Sequence, residues 1–204
     1  MNMVSPFKSE IFVLQSNGNL GAVEVATFLS LVLYGISLSQ GYTYFLQSAK
    51  GDGFTPKALV TVLLILETFH SFTAAMAIYY DTITRWNNAE ANSYPIAANA
   101  LLETLITLLV QGFFLCQVYR LSEKVPISIV CALLALLRFI GGIATCVEAF
   151  LDVPNTPENG IHFVVHFRWL ITSTFAVGCA LDVLIAAFMT CHLRKSLSPW
   201  NSER

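Results

Sequence analysis

Glu67 and His70 stand three residues apart in the middle of "LVTVLLILETFHSFTAAMAIYY", residues 59–80, a run otherwise made mostly of aliphatic, aromatic and small side chains. A carboxylate and an imidazole one helical turn apart can relay a proton, share a hydrogen bond or supply half of a di-iron helix motif. Two further ionisable residues occupy equally apolar surroundings: Arg138 in "VPISIVCALLALLRFIGGIATCVEAF" and Asp182 in "RWLITSTFAVGCALDVLIAAFMTCH". A guanidinium is always charged, so Arg138 is expected to pair with Asp182, with Glu67, or with both. An ionised side chain at the centre of a bilayer helix costs about 2.5–3.5 kcal/mol. Such a group therefore marks either a salt bridge that sets helix register or a working site: a proton relay, an ion path or a ligand counter-ion. Glu67 is tolerable if it faces Arg138 or a protonated His70, or if the carboxyl is neutral and donates a hydrogen bond to His70.

A second constellation is a stripe. Asn99, Glu103, Thr107 and Gln111 recur every four residues, on one face of a helix. Other segments carry stripes of the same kind. Thr174, Gly178, Asp182, Ala186 and Thr190 form one, and Arg138, Gly142, Thr145 and Glu148/Ala149 another. Glu67, His70/Ser71, Ala74 and Ile78 align in the second segment, and Gly35 and Ser39 make a small-xxx-small pair in the first. In a membrane such stripes face other helices, where small residues allow close approach and polar ones hydrogen-bond across. A transporter would instead need the Asn99–Gln111 stripe to line a continuous wet path.

The elements that must position these residues are long apolar helices. About 20 apolar residues cross the hydrocarbon core, and five segments reach that length: about 22–45, 57–80, 98–120, 125–150 and 168–192. Polar connections rich in Gly, Pro and Asn separate most of them, as in "QSAKGDGFTPK" and "DTITRWNNAEANSYP". No ten-residue alternation suggests a β-barrel. The expected fold is all-α, an integral membrane bundle of five transmembrane helices over residues 21–193. A 1–20 N-terminal tail precedes it and a 194–204 cytoplasmic tail follows. At 1.5 Å rise per residue, Glu67, His70, Arg138 and Asp182 lie within about 5 Å of their spans' midpoints, and Glu103 roughly 9 Å from its own.

Composition agrees. The chain has 204 residues, 55% hydrophobic and 12% charged, with a mean hydropathy of +0.65. A soluble domain needs about 25% charged residues to cover its surface; half that leaves the lipid bilayer as the natural partner. A formal charge of −2 gives no basic nucleic-acid footprint. Counting Lys and Arg in alternate connections places Lys50, Lys57, Arg120, Lys124, Arg194, Lys195 and Arg204 on one side, against Lys8, Arg85 and Arg168 on the other. The positive-inside rule then puts the N-terminus outside, or lumenal, and the C-terminus in the cytoplasm. The N-terminal residues lack the basic and apolar regions of a signal peptide, so targeting is expected from the first span.

Cofactor chemistry finds no footing. The five cysteines, Cys116, Cys131, Cys146, Cys179 and Cys191, are odd in number, show no CxxC spacing and read as buried free thiols packing as small hydrophobes in apolar runs. The Glu67-x-x-His70 motif occurs once, where a di-iron site needs a second such helix and two more carboxylates. His162-x3-His166 could chelate a metal from one helical turn but has no third ligand in view. Hydrolase, metalloprotease, Walker and dinucleotide motifs are absent, as is any lysine from the apolar interior of the spans. The expectation is a non-enzymatic multi-pass membrane protein of unknown activity, with no metal and no cofactor, in which Glu67, His70, Arg138 and Asp182 form a polar midplane cluster joining the second, fourth and fifth helices. The alternatives are a receptor-like ligand-sensing bundle and a transporter of protons or small solutes.

The segments "LVLYGISLSQGYTYF", "KALVTVLLILETFH…YY", "QGFFLCQVYRLS" and "ALDVLIAA" together resemble a large basidiomycete family of seven-helix membrane proteins defined by a domain of unknown function. The resemblance covers most of residues 20–195 and keeps the family's order. It matches Gly35, Gln40 and Tyr44 in the first span and Lys57 and His70 in the second, with Glu67 where the family usually has Asp. Gln111, Phe113, Phe114, Leu121 and Ser122 match in and just after the third span, and Arg138 and Asp182 in the fourth and fifth. It implies an N-outside architecture and supplies no activity. Gln117 stands where the family usually has Arg, and the family continues into two more helices where this chain reads "LRKSLSPWNSER". A truncated five-helix form is therefore expected, one that must rearrange or form a homo-oligomer to cover its stripes.

Overall fold

The computed structural model describes residues 17–48, 51–84, 93–121, 125–153 and 166–201. Helix α1 covers Asn17–Thr43 and runs into a π-helical stretch, Tyr44–Ser48. Helix α2 covers Phe54–Tyr79, with a second π-helical stretch over Tyr80–Thr84. Helices α3, Tyr94–Leu121, α4, Val125–Asp152, and α5, Arg168–Asn201, complete the chain. No strand occurs among the described residues. Five of these stretches are long and apolar enough to cross a membrane: Gly21–Gln47, Phe54–Tyr79, Tyr94–Arg120, Ser128–Asp152 and Arg168–Cys191.

The helix starts have a local cause. Pro56, Pro95 and Pro126 each sit in the first turn of their helix, where a missing N–H costs nothing and the fixed φ suits helical entry. That is why α2 and α3 begin three or four residues before the apolar runs do. Lys57 consequently lies in the opening turns of α2, inside the span. At the other end of the chain α5 outlasts its apolar segment: the backbone read as a tail from residue 194 is helical to Asn201. Threonines inside the spans are satisfied locally, the hydroxyls of Thr27, Thr68, Thr145, Thr174 and Thr190 each donating to the carbonyl four residues back. A polar stripe can therefore persist in an apolar helix without an unmet hydrogen bond.

The chain divides into two compact units, one of Met1–Glu103 with Cys146–His166, the other of Thr104–Thr145 with Phe167–Arg204. In the first, α1 and α2 form an antiparallel hairpin. Gly41 lets them touch: a Cβ there would fall 2.6 Å from Leu64 Cδ1. Tyr34 and Thr68 share a hydroxyl hydrogen bond of 2.8 Å, and the Tyr44 hydroxyl donates to Asp52 Oδ2 at 2.8 Å beside the turn. Ala97 of α3 and Cys146, Ala149 and Val153 at the end of α4 are its buried apolar residues.

In the second unit Val118, Cys131, Leu181 and Ile185 form a buried core, with Leu115, Leu134, Ala135, Phe188 and Met189 packed against it. Here α4 approaches both neighbours through adjacent glycines. A Cβ on Gly141 would meet Thr174 Oγ1 of α5 at 2.5 Å, and one on Gly142 would meet Thr104 Oγ1 of α3 at 2.9 Å. Elsewhere large apolar side chains stand exposed along the spans, Val32, Leu133 and Val183 among them. Such exposure is expected where lipid tails, not water, are the solvent. The expectation of buried thiols holds for Cys131 and Cys146 only; Cys116, Cys179 and Cys191 stand on exposed helix faces among the apolar side chains.

Candidate functional site: an intramembrane polar clasp

The second unit places Asp182 of α5 against two donors. Arg138 Nη1 on α4 lies 3.4 Å from Asp182 Oδ2, and Gln111 Nε2 on α3 donates to Asp182 Oδ1 at 3.1 Å. An ionised carboxylate only accepts, so it is the amide nitrogen of Gln111 that must face it. One carboxylate thus links three helices. The ion pair is a single long contact, outside the 2.7–2.9 Å usual for charge-assisted bonds. The Gln111 bond is the better placed of the two.

Gly178, one turn before Asp182, makes room for the cation. A Cβ at Gly178 would sit 2.5 Å from Arg138 Cζ and 2.6 Å from Nε, so the guanidinium lies against the bare backbone of α5. Burial is graded across the clasp. Gln111 is 4% exposed, the Arg138 side chain 16% and the Asp182 side chain 61%. The donors are enclosed and the acceptor is open.

The first unit carries a separate polar knot. Asn99 Nδ2 donates to the backbone carbonyl of His70 at 3.0 Å and to Thr73 Oγ1 at 3.1 Å. Thr73 in turn donates to the same carbonyl at 2.9 Å. The stripe on α3 is therefore divided: Asn99 docks on α2 and Gln111 on α5. Glu103 and Thr107, half-buried between them, are both partnered. Ser71, next to the knot, is buried at 5% exposure, and its hydroxyl has no hydrogen-bond partner among the described residues.

The four ionisable residues near mid-span divide two and two between the units. Arg138 and Asp182 pair in the second; Glu67 and His70 belong to the first, both half-buried on α2. His70 contributes its backbone carbonyl to the knot. Among the described residues the Glu67 carboxylate makes no hydrogen bond or ion pair. Two contributors were hidden from single-helix patterns: the link from Gln111 to Asp182 and the space left by Gly178. Both positions stand on stripes, but a stripe does not say which neighbour it meets.

No group of three or more His, Cys, Asp or Glu side chains suited to a metal occurs among the described residues; His162 lies outside them. No protein-family model, no curated protein and no solved structure matches this chain.

Proposed function

We propose that this is a non-enzymatic multi-pass membrane protein that recognises a ligand rather than converting one, with Asp182 at the centre of the recognising surface. The observation that carries the reading is the openness of Asp182, 61% exposed although it already accepts from Gln111 and Arg138. A salt bridge that only joins helices is best enclosed on both sides, because a carboxylate left in hydrocarbon is costly. An open acceptor with unused lone pairs suits a partner that supplies a donor. A transporter is less well supported, since Asn99 and Gln111 of the α3 stripe are spent on helix–helix bonds. The orientation belongs to this proposal, with the N-terminus outside and the C-terminus cytoplasmic on the Lys/Arg count. So does the relation to the basidiomycete seven-helix family, which rests on the ordered motifs and on Arg138 and Asp182 together.

Cys179, exposed and one turn from Asp182 on α5, is a natural reporter. Thiols react with maleimides as thiolates, which require water. In vesicles carrying the Cys116→Ser/Cys191→Ser variant, a membrane-impermeant maleimide added on the N-terminal side should modify Cys179. A thiol inert to water-borne reagent from both sides places that face in lipid, and the recognition reading fails.

A further inference from the structure

The exposed aromatic residues are sorted by chemistry. Among the described residues every exposed tyrosine or tryptophan stands near a span terminus: Tyr42 five residues before Gln47, and Tyr79, Tyr94, Tyr119 and Trp169 at or next to theirs. Tyr79 is the least exposed of them, at 54%, and Tyr42 and Trp169 the most, at 68%. Mid-span Tyr34 is not among them; it is half-buried and its hydroxyl is bonded to Thr68. Exposed Phe, Leu and Val follow no such rule, with Phe69, Leu137 and Val183 lying far from span ends. Only aromatics with a polar tip avoid the middle. A ring that is apolar at one end and hydrogen-bonding at the other is stable where hydrocarbon meets headgroups.

We infer that Tyr42, Tyr79, Tyr94, Tyr119 and Trp169 form the protein's contact with the headgroup layers of a bilayer, and that they hold Asp182 at the hydrocarbon midplane. Consecutive spans alternate in direction, so Tyr79, Tyr94 and Trp169 mark one interface and Tyr42 and Tyr119 the other. On α3, Tyr94 and Tyr119 are 25 residues apart (119 minus 94), about 37 Å along the helix. That exceeds the roughly 30 Å hydrocarbon core and falls short of the 40–45 Å that includes both headgroup layers. Each ring then sits a few ångströms outside the hydrocarbon. On α5, Asp182 follows Trp169 by 13 residues (182 minus 169), about 20 Å, close to half the α3 distance. This inference rests on the bundle spanning a bilayer and is independent of ligand recognition.

The test is depth-dependent fluorescence quenching in phosphatidylcholine vesicles carrying spin labels near the carbonyl end or near the methyl end of the acyl chain. In the Trp86→Phe/Trp200→Phe variant, which keeps Trp169 as its sole tryptophan, the shallow label should quench about twofold more strongly than the deep one. A Val183→Trp probe in a Trp86→Phe/Trp169→Phe/Trp200→Phe background, one residue beyond Asp182, should show the reverse. Deep quenching of Trp169, or none by either label, overturns the anchoring role. Shallow quenching of the Val183→Trp probe overturns the midplane placement of Asp182. Neither result bears on Cys179 reactivity, so the two proposals fail separately.

Discussion

At the scale of single residues, the spans hold polar groups that are met and polar groups that are not. Asp182 accepts from Gln111 and Arg138, and Asn99 donates to His70 and Thr73. Ser71 is the contrary case, buried with no partner for its hydroxyl among the described residues. An unsatisfied buried hydroxyl costs about 1–3 kcal/mol, and alanine removes it with little loss of volume. Ser71→Ala should leave the melting temperature in mild detergent unchanged or raise it; a clear fall would mean that the hydroxyl has a stabilising partner. That Arg138 would pair with Asp182, with Glu67 or with both was legible beforehand, because all three lie near mid-span on polar stripes and the Arg is always charged; the choice of Asp182 was not. The bond from Gln111 was not. Its four-residue spacing describes one face of α3 and contains no information on which helix that face meets.

At the scale of elements, close approach is governed by glycine. Thr174 is held by its bond to the Leu170 carbonyl, so it cannot swing aside for a Cβ on Gly141, and α4 and α5 would have to separate. Arg138 offers a Cβ on Gly178 only the mobile end of a long side chain, which can yield by leaving Asp182. Gly141→Ala should therefore destabilise by about 1–3 kcal/mol as an overpacked contact, and Gly178→Ala by less. Thermal denaturation of the two variants checks the order; equal losses would show that the guanidinium is as fixed as the threonine. Five spanning helices were readable from the lengths of the apolar runs alone. Their ends were less so, for two physical reasons. First-turn prolines at Pro56 and Pro95 continue a helix into polar sequence, and α5 needs no apolar side chains once past Cys191 to remain helical to Asn201.

At the scale of the whole molecule, 12% charged residues and five apolar helices describe a chain whose solvent is lipid. Its apolar side chains gain little by leaving that solvent, so helix association depends on packing and on hydrogen bonds across helices, worth about 0.6–2 kcal/mol each. The clasp is where such bonds converge on one carboxylate, tying α3, α4 and α5 together. The direct measurement is a double-mutant cycle of thermal stability in mild detergent, comparing wild type with Arg138→Met, Asp182→Asn and the double variant. Arg138→Met alone leaves the Asp182 carboxyl within the span without its cationic partner, so it should be the least stable of the four. The double variant should recover part of that loss, with a coupling of about 0.6–2 kcal/mol. Additive losses, or single variants as stable as wild type, would show that Arg138 and Asp182 lie near each other without holding the helices together.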